Sequence, residues 1–310
     1  MQNWIAIDLK YYRYSTYIKE KFGSSVYGLS LDAGFTCPNI DGSKARGGCV
    51  YCNNNSFVPA KKIKKATITE QIDQQLPKVK QRYSIDKFFA YFQAATNTYA
   101  PIEKLEELWT EALSHENIIG LKVSTRPDCV SDEVLDLLAK FAKETYVVLE
   151  LGLQTIHEKT SKWINRAHST DEFYDAVERA HARGLPVCAH VILGLKDETF
   201  EDMMATADAI AKLNLHAVKV HNLQVTRHTA LEYQYKKGEV ILHDREEMLN
   251  LVCSFLERIP PTTVVYRVLG ETPAEMLVAP IWETNKQRDV ADIEQIFEQR
   301  GTIQGSKYLN

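Results

Sequence analysis

Regular alternation of strand-like and helix-like segments is the feature that most constrains the fold of this 310-residue chain. Short apolar runs rich in β-branched and aromatic residues alternate with longer stretches whose apolar residues have helical spacing. The pattern predicts strands at 25–31, 88–93, 120–124, 146–151, 187–193 and 217–221, and a last strand-like piece at 263–268. It predicts helices at 67–83, 101–115, from 131, at 170–183, 199–213 and 244–258.

Repeated strand–helix units with nearly continuous apolar strands indicate a parallel sheet that is covered by helices. We count six good units, so the predicted fold class is α/β, a partial (β/α)6 barrel with short N- and C-terminal extensions. We expect a single domain over residues 1–310, with the barrel core at about 25–270 and the C-terminal extension at about 271–310. Hydrophobic residues are 45% of the chain, which supplies a full core and excludes general disorder.

The expected location follows from what the sequence lacks. No apolar run reaches the roughly 18 residues that a membrane span needs. Residues 1–8 have neither the basic start nor the long apolar stretch of a signal peptide. We therefore expect a cytoplasmic protein that does not act at a membrane.

Charge is unevenly distributed along the chain. Residues 1–88 hold 14 Lys and Arg against 7 Asp and Glu, whereas the remainder holds 23 against 34. A basic first third on an acidic body is typical of proteins with a local anionic partner such as nucleic acid. A solvated basic helix face would have the same composition, so charge alone does not decide between them.

Three of the six cysteines, Cys37, Cys49 and Cys52, lie close together in the sequence. Intervening glycines allow the loop to curl, so that Cys37 can approach the C-x2-C pair. A structural zinc site normally needs four protein ligands, and a thioredoxin-like redox pair would leave Cys37 unexplained. An iron–sulfur cluster on three thiolates leaves one iron open for an exogenous ligand, and this interpretation fits best.

Polar residues collect where the predicted strands end. In α/β barrels the chemistry lies at the carboxyl ends of the strands, and the cysteine loop follows the first strand on the same edge. Spacing and topology therefore both indicate a functional site at this edge. The other polar segments there are 93–97, 124–128, 150–154, Gly194 and 221–224.

Two segments that follow the first strand resemble the radical SAM superfamily. They are Phe-Thr-Cys-Pro-Asn (35–39) and Gly-Gly-Cys-Val-Tyr-Cys (47–52). The usual spacing there is C-x3-C-x2-C, whereas this chain has C-x11-C-x2-C. A long first gap is similar to the subgroup of the elongator catalytic subunit, whose acetyltransferase domain we do not expect here. The whole chain more closely resembles the bacterial YtqA/YhcC-type radical SAM proteins, in the stretches 31–39, 124–128, 150–154, 164–168, 190–195 and 219–221.

The resemblance implies two cofactors. A [4Fe-4S] cluster would be held by Cys37, Cys49 and Cys52, and its open iron would bind S-adenosylmethionine (SAM) through the amino and carboxylate groups. One electron from the cluster would cleave SAM to a 5′-deoxyadenosyl radical, which removes a hydrogen atom from the substrate. Among the implied SAM-binding residues, Tyr51 and Gly194 would lie near the adenine, and Glu150, Gln154 and Arg166 near the ribose and the carboxylate. Gln93 and Asn97 would lie near the methionine amino group, although the Gly-Gly-Glu that is typical of this position is missing.

Some of these residues also have structural interpretations. Glu150 at a strand end would equally serve as an ion-pair partner, and Arg166 would serve in a salt bridge with a helix. His190 and His221, which with Lys219 are the candidate catalytic residues, would also fit a core as hydrogen-bonded histidines.

The resemblance points to transfer RNA (tRNA) as the substrate. The implied reaction converts a carboxymethylaminomethyl group on a wobble uridine into an aminomethyl group, with a flavodoxin- or ferredoxin-like electron donor. Two alternatives stay open: a radical SAM enzyme that acts on a small metabolite, and a non-catalytic binding protein stapled by zinc. The predicted phosphate contacts, which would be salt-sensitive, are Lys61, Lys62, Lys64 and Lys65.

Overall fold

The main sheet is parallel throughout, so the carboxyl ends of its strands, where the functional site is predicted, lie at one edge. A computed structural model describes residues 3–53 and 66–309. The strands lie side by side in chain order. They are β1 (Tyr27–Leu31), β2 (Phe88–Phe92), β3 (Ile118–Thr125), β4 (Tyr146–Gln154), β5 (Val187–Leu193), β6 (Ala217–Asn222) and β8 (Val264–Arg267). The predicted partial α/β barrel is confirmed, and the strand-like piece at 263–268 adds a seventh strand to the six good units.

Among the described elements, two helices precede the first strand, one follows the last strand, and the others lie between strands. The helices are α1 (Asn3–Ala6), α2 (Tyr14–Phe22), α3 (Ile68–Tyr83), α4 (Ile102–Leu113), α5 (Asp132–Ala142), α6 (Glu158–Trp163), α7 (Thr170–Ala182), α8 (Phe200–Ala211), α9 (Ala230–Lys236), α10 (Arg245–Leu256) and α11 (Lys286–Arg300). Ser131, Thr199 and Asp244 cap α5, α8 and α10, because each side-chain oxygen accepts a backbone N–H three residues on. In the described part of the chain, no helix has the length and apolar character required to span a membrane.

The two faces of the sheet differ in chemistry. In β4, Leu149 and Leu151 pack into the large apolar cluster shared with the helices. The Glu150 side chain points the other way, toward the barrel interior, because side chains alternate along a strand. Gly152 lies on the same face of β4 as Glu150. The interior face therefore carries the polar groups, and the outer face carries most of the core.

Aromatic packing fills the amino-terminal end of the barrel interior. Phe22 of α2 meets Phe89 and Tyr146 edge to face, with ring centroids 5.5 and 5.4 Å apart. Ile18 is buried in the same cluster. A cavity in the interior lies toward the carboxyl ends of the strands.

The C-terminal extension packs on the barrel. Ile293 and Phe297 of α11 are fully buried in the main core. Arg245 of α10 forms ion pairs at 2.6 Å with both Asp289 and Asp292 of α11. Apolar and ionic contacts together therefore attach α11 to α10.

A second, two-stranded sheet was not predicted. β7 (Val225–Thr226) and β9 (Leu277–Ala279) pair antiparallel outside the main sheet. The segment that includes β7 runs along the cysteine loop, where the Thr226 hydroxyl donates to the Tyr51 carbonyl at 3.2 Å. The Leu231 N–H donates to the Val50 carbonyl at 2.9 Å. This segment therefore covers one side of the loop.

Candidate active site

The cysteine loop follows β1 and curls as its glycines predict. Gly47 and Gly48 have φ values of 85° and 73°, a left-handed conformation that glycine adopts without strain. The turn brings the Gly48 N–H to the Asn39 carbonyl at 2.8 Å, which joins the segment after Cys37 to the segment before Cys49.

A segment after β4 fastens this loop to the barrel. The Asn165 side-chain amide donates to the carbonyls of Arg46 and Gly48 at 3.0 and 2.8 Å. The Asn39 amide donates back to the Asn165 carbonyl, and the Val50 N–H donates to the carbonyl of Ile164 at 3.0 Å. Segment 164–168, part of the resemblance described above, therefore holds both ends of the cysteine loop.

Two N–H donors point at the sulfur of Cys49, which is buried. Arg166 Nη1 lies 3.6 Å and Asn39 Nδ2 lies 3.5 Å from Sγ. Hydrogen bonds of this kind stabilise a thiolate, and hydrogen bonds to cluster sulfurs tune iron–sulfur centres. The donor set therefore fits a thiolate-held cluster. Among residues 3–53 and 66–309, no three His, Cys, Asp or Glu side chains converge on a site for a single metal ion.

Arg166 is held in place through both its guanidinium and its backbone. Its Nε donates to His168 Nε2 at 2.7 Å, and its Nη2 donates to the Gly152 carbonyl at 2.7 Å. Arg126 Nη1 donates to the Arg166 carbonyl at 2.9 Å. Arg126 is itself paired with Asp128 at 2.9 and 3.0 Å. A buried chain of contacts thus positions the group that donates to Cys49.

A cavity of about 180 Å³ lies beside this loop, inside the barrel. It gathers six of the predicted site residues: Tyr51, Gln93, Gln154, His190, Lys219 and His221. Residues that the sequence analysis did not assign to cofactor or catalysis also line it, among them Ser124, Asn222, Gln224, Arg267, Glu271 and Thr272.

Four predicted cofactor-binding residues lie around this cavity rather than on its wall. Arg166 contacts Cys49, as described above. Asn97 donates to the Ser124 carbonyl at 2.8 Å. Gly194 has a φ of 79° and donates its N–H to Met203 Sδ at 3.2 Å, on the side of α8. The fourth, Glu150, is fully buried beneath the cavity.

Glu150 is the centre of a buried network of charges. Its Oε2 accepts from Tyr91 Oη and His190 Nε2 at 2.7 Å each and from Lys219 Nζ at 3.0 Å. Lys122 Nζ lies 2.9 Å from Oε1. Lys219 Nζ also donates to Tyr91 Oη at 2.6 Å. One carboxylate therefore joins residues of strands β2 to β6 below the cavity.

The network shifts the pKa values of its members. Burial alone would raise the pKa of Glu150, but Lys122, Lys219 and His190 together hold it well below its usual value. Burial lowers the pKa of Lys219 to about 8, although the Glu150 carboxylate opposes that shift. Burial and the Lys219 charge lower the pKa of His190 to about 4, so this imidazole is neutral at pH 7.

Sequence reasoning missed several residues of this site. It assigned no role to Lys122, although this lysine, like Lys219, lies in the middle of a predicted apolar strand. Asn39 and Asn165 were noted only within matching stretches. The predicted phosphate-binding residues Lys61, Lys62, Lys64 and Lys65 lie outside the described residues.

Comparison with protein families decides the class of this site. Residues 42–210 match the model of the radical SAM superfamily, and residues 215–299 match that of the radical SAM C-terminal domain. The chain belongs to the radical SAM superfamily. Radical SAM proteins use a [4Fe-4S] cluster and SAM. The alternative of a non-catalytic zinc protein, which the cysteine spacing left open, finds no support in this family.

The radical SAM relatives include the group that the sequence resembles. The chain is 37% identical to YtqA of Bacillus subtilis, with 96% of the chain and 92% of the relative covered. It is 33% identical to YhcC of Escherichia coli K12, covering 93% and 92%. Among solved structures, the archaeal Elp3 of Methanocaldococcus infernus has the same radical SAM fold, with a TM-score of 0.69 and 17% identity. The match covers 91% of this chain but only 64% of that protein's chain.

Proposed function

We propose that this radical SAM protein acts on the side chain of a tRNA wobble uridine and converts a carboxymethylaminomethyl group into an aminomethyl group. The observation that carries the proposal is the cavity beside the cysteine loop, which extends from Tyr51 to the cationic residues Lys219 and Arg267. Such a cavity combines a place for a cofactor with a place for an anionic substrate.

In this proposal Cys37, Cys49 and Cys52 are the cluster ligands. When bound and reduced, the cluster supplies the electron that cleaves SAM. Arg166 and Asn39 stabilise the Cys49 thiolate. The SAM-binding residues proposed around the cavity are Tyr51, Gln93, Asn97, Glu150, Gln154, Arg166 and Gly194.

The polar wall of the cavity supports a substrate that bears a carboxylate. Lys219 and Arg267 supply positive charge, while the neutral His190 supplies a hydrogen-bonding group. His190, Lys219 and His221 are the proposed catalytic residues, because each faces the cavity. The barrel positions the reacting carbon next to them and excludes water from it.

The charge distribution, together with the resemblance to the elongator subgroup, supports tRNA rather than a small metabolite as the source of that carboxylate. Residues 1–88 have an excess of 7 positive charges. Contacts between lysines and phosphates supply much of the affinity for nucleic acids. The proposal therefore includes tRNA contacts from the basic stretch of Lys61, Lys62, Lys64 and Lys65. It also includes a cytoplasmic location and a flavodoxin- or ferredoxin-like electron donor.

The test is an anaerobic turnover assay. The reconstituted and reduced protein is incubated with SAM and with tRNA that carries the carboxymethylaminomethyl group. We expect 5′-deoxyadenosine to form, and nucleoside mass analysis to show loss of the carboxymethyl group. Its two carbons should be recovered as glyoxylate, because removal of a hydrogen atom and then of one electron, which returns to the cluster, would leave an imine that water hydrolyses. Cys49→Ala should abolish both products. Cys253→Ala is the matched control, because this buried cysteine lies in α10, away from the cysteine loop, and it should retain both.

The outcomes separate the proposal from its alternative. 5′-Deoxyadenosine that forms with unchanged tRNA, and forms faster with a tRNA-free metabolite extract, would favour a small substrate. The salt dependence of tRNA binding gives a second readout. Replacing the four lysines by alanine should weaken tRNA binding and flatten its salt dependence. An unchanged affinity would contradict the assigned phosphate contacts.

A further inference from the structure

Arg267 occupies a distinctive place at the end of the main sheet. It is the last residue of β8, and its backbone lies opposite that of Lys219 on β6. Its side chain lines the cavity that holds Lys219 and His221. It also lines a second cavity of about 190 Å³, formed beside β8 by the starts of α2 and α11. Arg267 and Glu271 are common to both cavities, so they lie at the junction between them.

The ionic contacts of Arg267, which is partly exposed, differ from those of the two buried lysines below the cavity. Lys122 and Lys219 approach Glu150 within 2.9 and 3.0 Å. In the described part of the chain, the one ion pair of Arg267 joins Nη2 to Glu271 Oε2 at 3.7 Å. That distance is too long for a hydrogen bond. A guanidinium has five N–H donors in a fixed fork, so Arg267 faces the cavity with capacity for a further acceptor.

The cationic groups around the cavity outnumber the carboxylates. Lys122, Lys219 and Arg267 supply three cationic groups, against the two carboxylates of Glu150 and Glu271. Glu271 is shared, because its Oε1 also lies 3.3 Å from the exposed Lys286. The depressed pKa of His221, which results first from burial and then from the Arg267 charge, reflects the same positive field.

We infer that Arg267 is the binding site for the substrate carboxylate. The guanidinium donates two parallel N–H hydrogen bonds to a carboxylate, a bidentate arrangement that a lysine cannot reproduce. The inference rests on the proposed function, in which the carboxymethyl group is the part of the substrate that the enzyme removes. Glu271 is the counter-ion that the incoming carboxylate replaces beside Arg267.

This assignment has a consequence for specificity. The substrate carries the carboxylate and the aminomethyl product does not, so Arg267 distinguishes one from the other. Loss of a charge-assisted hydrogen bond weakens binding by about 10- to 150-fold. The product therefore leaves the site more readily than the substrate.

The experiment compares the affinities of the SAM-loaded protein for tRNA that bears the carboxymethylaminomethyl group and for tRNA that bears the aminomethyl group. We expect the parent to prefer the first by at least 10-fold. Arg267→Gln should bring the ratio close to 1, and Arg267→Lys should give an intermediate value. Arg288→Gln removes an exposed positive charge of α11 and should leave the ratio unchanged. A parent that binds both forms equally would overturn the inference.

Two further arms keep this inference distinct from the proposed function. N-Benzylglycine and benzylamine differ by one carboxymethyl group and need no tRNA. The parent should bind N-benzylglycine more tightly in an NMR titration, and Arg267→Gln should bind both alike. Absence of that difference overturns the carboxylate site, even if the tRNA turnover assay succeeds. Arg267→Gln should also retain SAM binding, and its loss would show that Arg267 serves SAM instead.

Discussion

Gly152 lies where β4 passes the cysteine loop, and its lack of a side chain leaves room for the Arg166 guanidinium. A Cβ at this position would lie 2.5 Å from Arg166 Nη2, a distance that real contacts do not tolerate. Gly28 in β1 differs, because the nearest neighbours of a Cβ there would lie 3.7 Å away. The methyl group of an alanine at position 152 would therefore collide with Arg166, a hydrogen-bond donor to Cys49.

We predict that Gly152→Ala displaces Arg166 from Cys49 and weakens retention of the cluster, whereas Gly28→Ala does not. Iron and sulfide contents of the reconstituted proteins, and the rate at which a chelator bleaches the cluster absorbance, measure this effect. We expect bleaching at least several times faster in Gly152→Ala. Equal rates in the two variants would show that Arg166 contributes nothing to cluster retention.

Residues of the site differed in how readily the sequence revealed them. The cysteines were recognisable from spacing alone, and Lys219 from its place in the matching stretch 219–221. The Asn39–Asn165 contact joins residues 126 positions apart and depends on a left-handed backbone at Asn165, where φ is 54°. Local sequence carries no signal for such a contact. Only the folded chain brings these two residues together.

At the scale of elements, the main sheet was predictable because each strand has a nearly continuous apolar run. Several helices were predictable because each begins at a capping residue. The short strands β7 and β9 were not predictable. They have two and three residues, and their pairing joins Val225 to Ala279. A strand this short has no periodicity to detect, so tertiary contacts alone define it.

The segment 164–168 gives a prediction at this scale, because it fastens the cysteine loop to the barrel. We predict that Asn165→Ala loosens the loop. The variant loses both hydrogen bonds to the loop carbonyls and places alanine in a left-handed conformation. Hydrogen–deuterium exchange of peptides from residues 37–52 should become faster, and the cluster should be lost sooner.

A second substitution at Asn165 separates the two causes. Asn165→Gly retains a backbone that accepts positive φ but removes the side-chain amide. If the hydrogen bonds matter, exchange in Asn165→Gly should be nearly as fast as in Asn165→Ala. If Asn165→Gly behaves like the parent, backbone conformation rather than the amide holds the loop, and the assigned role of the amide is incorrect.

At the scale of the whole molecule, the barrel interior contains buried ionisable groups, which are desolvated. Burial and the Lys122 charge lower the pKa of His216 to about 4, as burial and the Lys219 charge do for His190. The pKa of His221 is also well below its usual value. An unfolded chain has histidines with pKa values near 6.5. The folded and unfolded states therefore bind different numbers of protons in mildly acidic solution.

The sign of the effect on stability follows from this difference. Between pH 6.5 and about 4, the unfolded chain binds protons at these histidines that the folded protein does not bind. Lowering the pH in this window therefore favours unfolding, by up to about 1.4 kcal/mol per pH unit for each proton. Below the usual Glu range, the depressed pKa of Glu150 acts in the same direction. Stability should rise from pH 4.5 to pH 7.

We predict that His190→Gln makes this pH dependence shallower by about one proton, because glutamine can still donate to Glu150 but does not titrate. Urea unfolding of the parent and the variant at several pH values between 5 and 7 measures the slope. If His190→Gln retains the full slope, His190 is already protonated in the folded protein at pH 5. The buried network would then contain an imidazolium beside Glu150 at pH 5, and the barrel interior would be more positive in mildly acidic solution than the neighbours of His190 imply.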